Sequence, residues 1–166
     1  MSPIAPLGRR MLRLGLLFSL ALVAADQLTK WLVMAYVLVD DRTVVLASWL
    51  NFVVVWNRGV SFGLFSHDWA GAPWVLSAIA VAIVALLCVW LSRARRVLTA
   101  LALGAIIGGA FGNVIDRARF GAVYDFVDLH YAGWHWPAFN LADSAITLGV
   151  IALLVDSLLF DRQARA

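Results

Sequence analysis

Between Gly108 and Asp143 the chain reads GGAFGNVIDRARFGAVYDFVDLHYAGWHWPAFNLAD. Asn113, Asp116, Arg117, Asp125, Asp128, Asn140 and Asp143 crowd into this stretch, whereas most of the remaining chain is apolar. Apolar helix-like runs flank it, Val97–Ile115 before and Leu141–Phe160 after. The polar groups therefore belong at a membrane surface, where ionisable side chains are usually functional. Asp125 lies between Tyr124 and Phe126 in a strand-like context, where an unpaired carboxylate is costly. Asp143 lies at a helix start. Two acids brought together cannot both ionise comfortably, so one keeps its proton. An ionised and a protonated carboxyl side by side can hydrolyse a peptide. The base takes a proton from water, while the acid stabilises the oxyanion and then protonates the leaving amine.

The neighbouring polar residues admit plainer readings as well. Asn113 and Asp116 are three apart and Arg117 is four from Asn113, so one helical end presents them together. Asp116 with Arg117 reads as an ion pair at the membrane surface. Asn140 and Asp143 fit an N-cap with an acid at N3, a role compatible with catalysis. Asp26 and Lys30, four apart with the acid first, share a helix face and can pair, either as a neutralised helix end or in support of a site. Asn57, Asn113, Arg117 and Asn140 are donors that could orient a peptide. His67, His130 and His135 lack HExxH or His-Cys spacing, so no metal site is expected. The single cysteine, Cys88, sits in an apolar run and reads as a buried inert thiol. No Ser-His nucleophile pattern or catalytic cysteine competes with the acids, and no cofactor is called for.

The chain that must position these residues has 166 residues, 63% hydrophobic and 14% charged, with a mean hydropathy of +0.89. Soluble domains carry about 25% charge. Repeated long apolar runs instead indicate an integral membrane protein, organised as a single domain over residues 1–166. A net charge of +3 and a pI near 9.6 would suit nucleic acid in a soluble protein. Here the arginines cluster at the ends of apolar runs, so the charge is a topology signal and no nucleic-acid partner is expected.

The spans are expected at about 14–39, 73–91, 97–115 and 141–160, with longer loops at 40–72 and 116–140. Met1–Arg13 reads as a short basic tail. A basic start, an apolar stretch and Val23-Ala24-Ala25 also fit a cleaved signal peptide, but the apolar run continues to Val39 and favours a retained helix carrying Asp26 and Lys30. Thr43–Leu46 and Leu50–Trp56 look like a strand hairpin, and Val123–Leu129 like a further strand. An open sheet cannot sit in lipid, so this is a small extramembrane sheet. Val60–Trp69 mixes large apolar and polar residues and suits an interfacial helix. Gly104, Gly108 and Gly112, with Gly109 beside them, form a small-residue stripe for close helix approach. Tyr131, Trp134 and Trp136 read as interface anchors.

The amino tail (Arg9, Arg10, Arg13), the Ser92–Arg96 loop and the carboxyl tail (Arg162, Arg165) alternate with the longer loops. The positive-inside rule then places both termini in the cytoplasm and the polar residues at the outer face. A proton-coupled transporter is the first rival, but the acids sit at one face and no internal repeat appears. A non-enzymatic assembly factor docking through the aromatic loops is the second.

Five blocks in order carry a resemblance. They are Asp26-Gln27-x-x-Lys30, Asn57-x-Gly59-x-x-Phe62, Gly112-Asn113-x-x-Asp116-Arg117, Val123-x-Asp125-Phe126 and Phe139-Asn140-x-Ala142-Asp143. Each is weak alone. Together, across four spans, the sequence resembles the lipoprotein signal peptidase family, also called signal peptidase II. That resemblance implies an aspartyl endopeptidase of the bacterial inner membrane with its active site at the periplasmic face. It would remove the signal peptide from prolipoproteins, cutting before a cysteine that carries a diacylglyceryl group. Asp125 and Asp143 would be the catalytic pair. Asp26, Lys30, Asn57, Gly59, Asn113, Asp116, Arg117 and Asn140 would support the site or contact substrate. The resemblance further implies a site open sideways to membrane lipid, globomycin-type inhibitors and a monomer.

Overall fold

The computed structural model describes residues 6–38, 42–59 and 71–163. Helix α1 spans Pro6–Leu32 and ends in a π-helical turn at Val33–Val37. Strands β1 (Val44–Ala47) and β2 (Leu50–Asn57) follow, then helices α2 (Ala72–Arg93) and α3 (Val97–Phe120). Strands β3 (Val123–Tyr131) and β4 (Trp134–His135) lead to helix α4 (Leu141–Gln163). Among the described residues, four helices are long and apolar enough to cross a membrane, over Leu7–Val37, Ala72–Arg93, Val97–Phe120 and Leu141–Leu159. Large apolar side chains such as Leu17, Leu86, Leu148 and Leu158 point outward from them, as a lipid-facing surface requires.

Helix α3 is the centre of the bundle and packs against α1, α2 and α4. Its glycine stripe makes this possible. A Cβ at Gly104 would stand 2.5 Å from the Gly15 carbonyl oxygen, one at Gly108 2.7 Å from that of Ser19, and one at Gly112 2.6 Å from Asp26 Oδ2. The α1 backbone thus lies directly on α3, bringing Asp26 against the third helix. At the opposite end of the bundle, buried Asp156 of α4 accepts hydrogen bonds from Thr99 Oγ1 at 2.7 Å and Arg96 Nη1 at 3.2 Å.

The strands form one antiparallel order, β1-β2-β3-β4. Tyr124 and Phe126 of β3 are buried with Val33 and Leu38, and Phe52 meets Phe126 edge to face at 5.5 Å. This apolar face seats the sheet on the end of α1. Between β2 and β3 the register runs Phe52↔Val127 and then Val55↔Asp125. Val53 and Val54 therefore face Phe126 alone, a bulge that bends β2 beside Asp125.

The elements extend beyond the expected bounds. The first helix begins at Pro6, not near residue 14, so Arg9, Arg10 and Arg13 lie on its first turns. Arginine is a good helix former whose apolar stem covers neighbouring surface, so it interrupts hydropathy without interrupting the helix. Helix α3 runs past Ile115 to Phe120, and Gly121, at φ +71°, caps it with its N–H on the Arg117 carbonyl at 3.0 Å. Asp116 and Arg117 are therefore helical, not part of the outer loop. Helices α2 and α4 likewise reach Arg93 and Gln163. Strand β4, not anticipated from the sequence, follows a tight turn in which Ala132 and Gly133 both have positive φ. The interfacial helix expected over Val60–Trp69 lies outside the described residues.

Candidate active site

The start of α4 organises the site. Asn140 precedes the helix and accepts the Asp143 N–H on Oδ1 at 3.0 Å, while Asp143 Oδ2 accepts the Asn140 N–H at 3.2 Å. This reciprocal cap satisfies N–H groups that a helix start leaves unpaired and fixes the Asp143 rotamer. A further such group, the Ala142 N–H, is capped from another helix, donating to Asp26 Oδ1 at 2.9 Å.

Strand β3 supplies Asp125, which is buried. Its Oδ1 accepts the Asn140 Nδ2 at 2.6 Å and its Oδ2 accepts the Asn57 Nδ2 at 3.0 Å. Asn57 is a diagonal neighbour across the ladder, two residues beyond Val55, the residue opposite Asp125. Gly59 aims it: the Gly59 N–H donates to Asn57 Oδ1 at 2.8 Å, leaving the amide NH2 for Asp125. Gly59 has φ +91°, and a Cβ there would collide with Leu76 Cδ1, so both conformation and space demand glycine.

Asn140 therefore joins the two acids, through its side chain to Asp125 and through its backbone to Asp143. It is fully buried and also lies 3.3 Å from both Asn113 Oδ1 and the Tyr124 carbonyl oxygen. Asn113 of α3 completes the ring, donating Nδ2 to Asp143 Oδ1 at 2.7 Å. Burial pushes the Asp125 carboxyl up to about 7. The hydrogen bond from Asn57 opposes this rise and the charge of Asp143 adds to it.

Behind the ring stands a buried ion cluster. Lys30 Nζ lies 2.8 Å from Asp26 Oδ2 and 2.8 Å from Asp116 Oδ2. The predicted Asp26–Lys30 pair is present. Asp116, however, pairs with Lys30 across helices and not with its sequence neighbour Arg117, because α1 lies directly on α3 there. The Arg117 Nε is buried without a hydrogen-bond partner among the described residues, and the Arg117 charge acts on Asp143, Asp125 and Asp116. Gln27, which the sequence places in the Asp26-Gln27-x-x-Lys30 block without a role, donates Nε2 to Asp116 Oδ1 at 2.8 Å and to Asp26 Oδ2 at 3.2 Å. The Tyr124 N–H on Asp116 Oδ2 at 3.1 Å ties this cluster to β3.

Asp128 does not join the pair. It lies on the other face of β3, where Asn51 Nδ2 donates to it at 2.9 Å and His135 Nδ1 approaches to 2.8 Å. Burial favours the neutral acid, yet these contacts outweigh it and hold Asp128 below the usual carboxylate range. His130 stacks on His135 at 5.1 Å, so both histidines belong to this distal cluster. No group of three His, Cys, Asp or Glu side chains among the described residues is placed to hold a metal ion.

Two apolar cavities flank the start of α4. One, of about 320 Å3, lies between α1, the sheet and Asn140. The other, of about 420 Å3, is lined by Leu129, Trp136, Phe139, Asp143, Ser144, Thr147 and Leu148. Asp143 thus faces a groove that descends one side of α4 to lipid-exposed Leu148.

Fold and site together define a multi-pass membrane protein with linked carboxyl groups at one end of its helices. Residues 18–159 match the signal peptidase (SPase) II family, Peptidase A8. The chain is 51% identical over 147 residues to the lipoprotein signal peptidase of Methylorubrum extorquens, covering 88% of this chain and 86% of that one. It is 41% identical over 141 residues to that of Anaplasma phagocytophilum, covering 85% and 89%. A bacterial membrane enzyme solved by the in meso method at 2.3 Å resolution superimposes with a TM-score of 0.76 at 28% identity, covering 92% of this chain and 91% of that one. The chain belongs to the signal peptidase II family and is an aspartic-type peptidase.

Proposed function

We propose that this protein removes the signal peptide from diacylglyceryl-modified prolipoproteins, cutting before the lipidated cysteine, with Asp125 and Asp143 as the catalytic pair. The observation that carries the reading is Asn140, which holds Asp125 by its side chain and Asp143 by its backbone in a chain of an aspartic peptidase family. Asp125, raised to about 7 by burial, holds the shared proton, and Asp143 is the ionised partner. Asp143 takes a proton from water, and the water oxygen bonds to the scissile carbonyl carbon. Asp125 gives its proton to the carbonyl oxygen, forming a neutral gem-diol. As the carbon–nitrogen bond breaks, the leaving nitrogen takes its proton from Asp143 and not from the first acid, because Asp125 has already given its own to the carbonyl oxygen and recovers one from a gem-diol hydroxyl. The pair returns to its starting state, with one water consumed per bond.

Asn57, Asn113 and Asn140 hold the carboxyl groups, Gly59 aims Asn57, and Asp26 and Asp116 anchor the surrounding helices. Arg117, whose positive charge acts on both acids, contacts the substrate. The groove below Asp143 supports a lipidated substrate, since acyl chains beside the scissile bond could remain in the bilayer. The chain works as one integral domain of the bacterial inner membrane, as a monomer. Its termini lie in the cytoplasm and its site at the periplasmic face, and globomycin-type peptides inhibit it.

The test is cleavage of a synthetic prolipoprotein peptide with and without the diacylglyceryl group, with mass analysis of the products. The expected result is a single cut before the cysteine, in the lipidated peptide only, blocked by globomycin. Equal cutting of both peptides, or a cut elsewhere, would contradict the proposed specificity.

A further inference from the structure

Taking the paired-acid reading as its basis, we infer that Lys30 is a positioning residue for the catalytic pair. Its ammonium, clamped between Asp26 and Asp116, fixes which way the Asn113 carboxamide faces and so keeps a donor on Asp143. An ammonium has three protons and no acceptor. Asp26 Oδ2 takes one of them at 2.8 Å, Asp116 Oδ2 lies in ion-pair contact at 2.8 Å, and a further proton reaches Asn113 Oδ1 at 3.4 Å. Asn140 Nδ2 approaches the same Oδ1 at 3.3 Å. With two donors on its oxygen, the Asn113 amide has its NH2 on the far side, 2.7 Å from Asp143 Oδ1. Turning it over would set NH2 against an ammonium and a second NH2, and a carbonyl oxygen against a carboxylate. Each of those contacts is repulsive, in a site where Lys30 and Asn113 are both buried.

An ion pair that only locked α1 to α3 would be complete with Asp26 and Asp116. The contact to Asn113 also crosses from α1 to α3, but it lies one hydrogen bond from the proposed base. Among the described residues, the charged groups facing this region are Asp26 from α1, Asp116 and Arg117 from α3, Asp125 from β3 and Asp143 from α4. Strand β2 contributes only neutral Asn57. Acids outnumber bases, so the Lys30 charge opposes the rise that burial imposes on Asp125.

The experiment measures kcat and KM against pH on a lipidated prolipoprotein peptide for the wild type, Lys30→Met, Lys30→Arg and Asp116→Asn, with Tm recorded for each. Lys30→Met should lower kcat about 100-fold with KM little changed, as expected for a misoriented catalytic group. Its alkaline limb should move up by about one pH unit, because a nearby cation is lost. Lys30→Arg should return the limb toward the wild-type position. Asp116→Asn leaves the Lys30 charge less neutralised and should move the limb down. Infrared titration of the protonated carboxyl, assigned by its loss in Asp125→Asn, reads the same shifts without turnover. Structural damage alone has no sign, so limbs and carboxyl titrations that stay in place while kcat follows Tm would overturn the role of Lys30. If Lys30→Met does not fold, the direction of the Asp116→Asn shift decides. Cleavage by Asp125→Asn at the wild-type rate would instead overturn the paired-acid reading itself.

Discussion

Asn140 Nδ2, just ahead of α4, stands 2.6 Å from Asp125 Oδ1 of β3, the shortest of the site's side-chain hydrogen bonds among the described residues. The same residue caps α4 through its Oδ1. These duties separate by substitution. Asn140→Asp keeps a good cap but removes the Nδ2 donor and sets a second acid against Asp125, so it should lower Tm less than loss of the cap does and still lose cleavage. Asn140→Ala should lose both, with about 1 kcal/mol or more of stability from the cap alone. Thermal unfolding measured beside peptide cleavage checks this, and activity in Asn140→Asp would contradict it.

The proton on Asp125 sets a pH dependence. Its folded carboxyl titrates near 7, against about 3.9 in an unfolded chain. Between those values the folded state binds more protons, so stability is greatest below the window and falls as pH rises through it. Turnover should fall above about 7 as the acid is lost. Asp125→Asn should flatten the stability profile and raise Tm at pH 8 relative to the wild type. Tm measured across pH for both proteins reads the difference.

Gly59 should tolerate no side chain. Gly59→Ala forces a Cβ onto Leu76 and strains φ +91°, which releases Asn57 from Asp125. Activity should drop about 100-fold. Gly59→Ala with Leu76→Ala should recover part of that loss by making room, though not the backbone strain. Rate constants for the two single variants and the double variant separate these causes.

Gly112→Ala places a methyl group 2.6 Å from Asp26 Oδ2, on a side chain already held by Lys30 and the Ala142 N–H. The expected cost is about 1–3 kcal/mol, with a parallel loss of cleavage as α1 is pushed from α3. Gly121→Ala meets no neighbouring atom, only φ +71°, and should cost less. Denaturation of both variants in the same detergent tests the ranking.

Much of the site was legible where local rules decide it. Asn140 with Asp143 is a sequence-local cap, Asp26 with Lys30 a helix-face pair, and the glycine spacing a packing stripe. Asp125 stood out because a carboxylate between aromatic residues needs a reason. What escaped depends on contacts between distant segments. The Asp26 cap on Ala142 joins residues 116 apart, and Gln27 meets Asp116 across 89. Asp116 looked paired with Arg117 because they are adjacent, whereas helix packing delivers Lys30. The bulge at Val53 and Val54 leaves no mark in a run of β-branched residues, and β4 is too short for a periodic signal. The helix start at Pro6 was hidden by arginines that break the apolar run but not the helix.

The central claim is that Asp125 and Asp143 act on one water as a unit. The most direct measurement is single-turnover cleavage of a lipidated prolipoprotein peptide by purified Asp125→Asn and Asp143→Asn, each with Tm recorded. Loss of cleavage by at least about 1,000-fold in both, with Tm retained, is the result this assignment requires. Near-wild-type cleavage in either folded variant would contradict it.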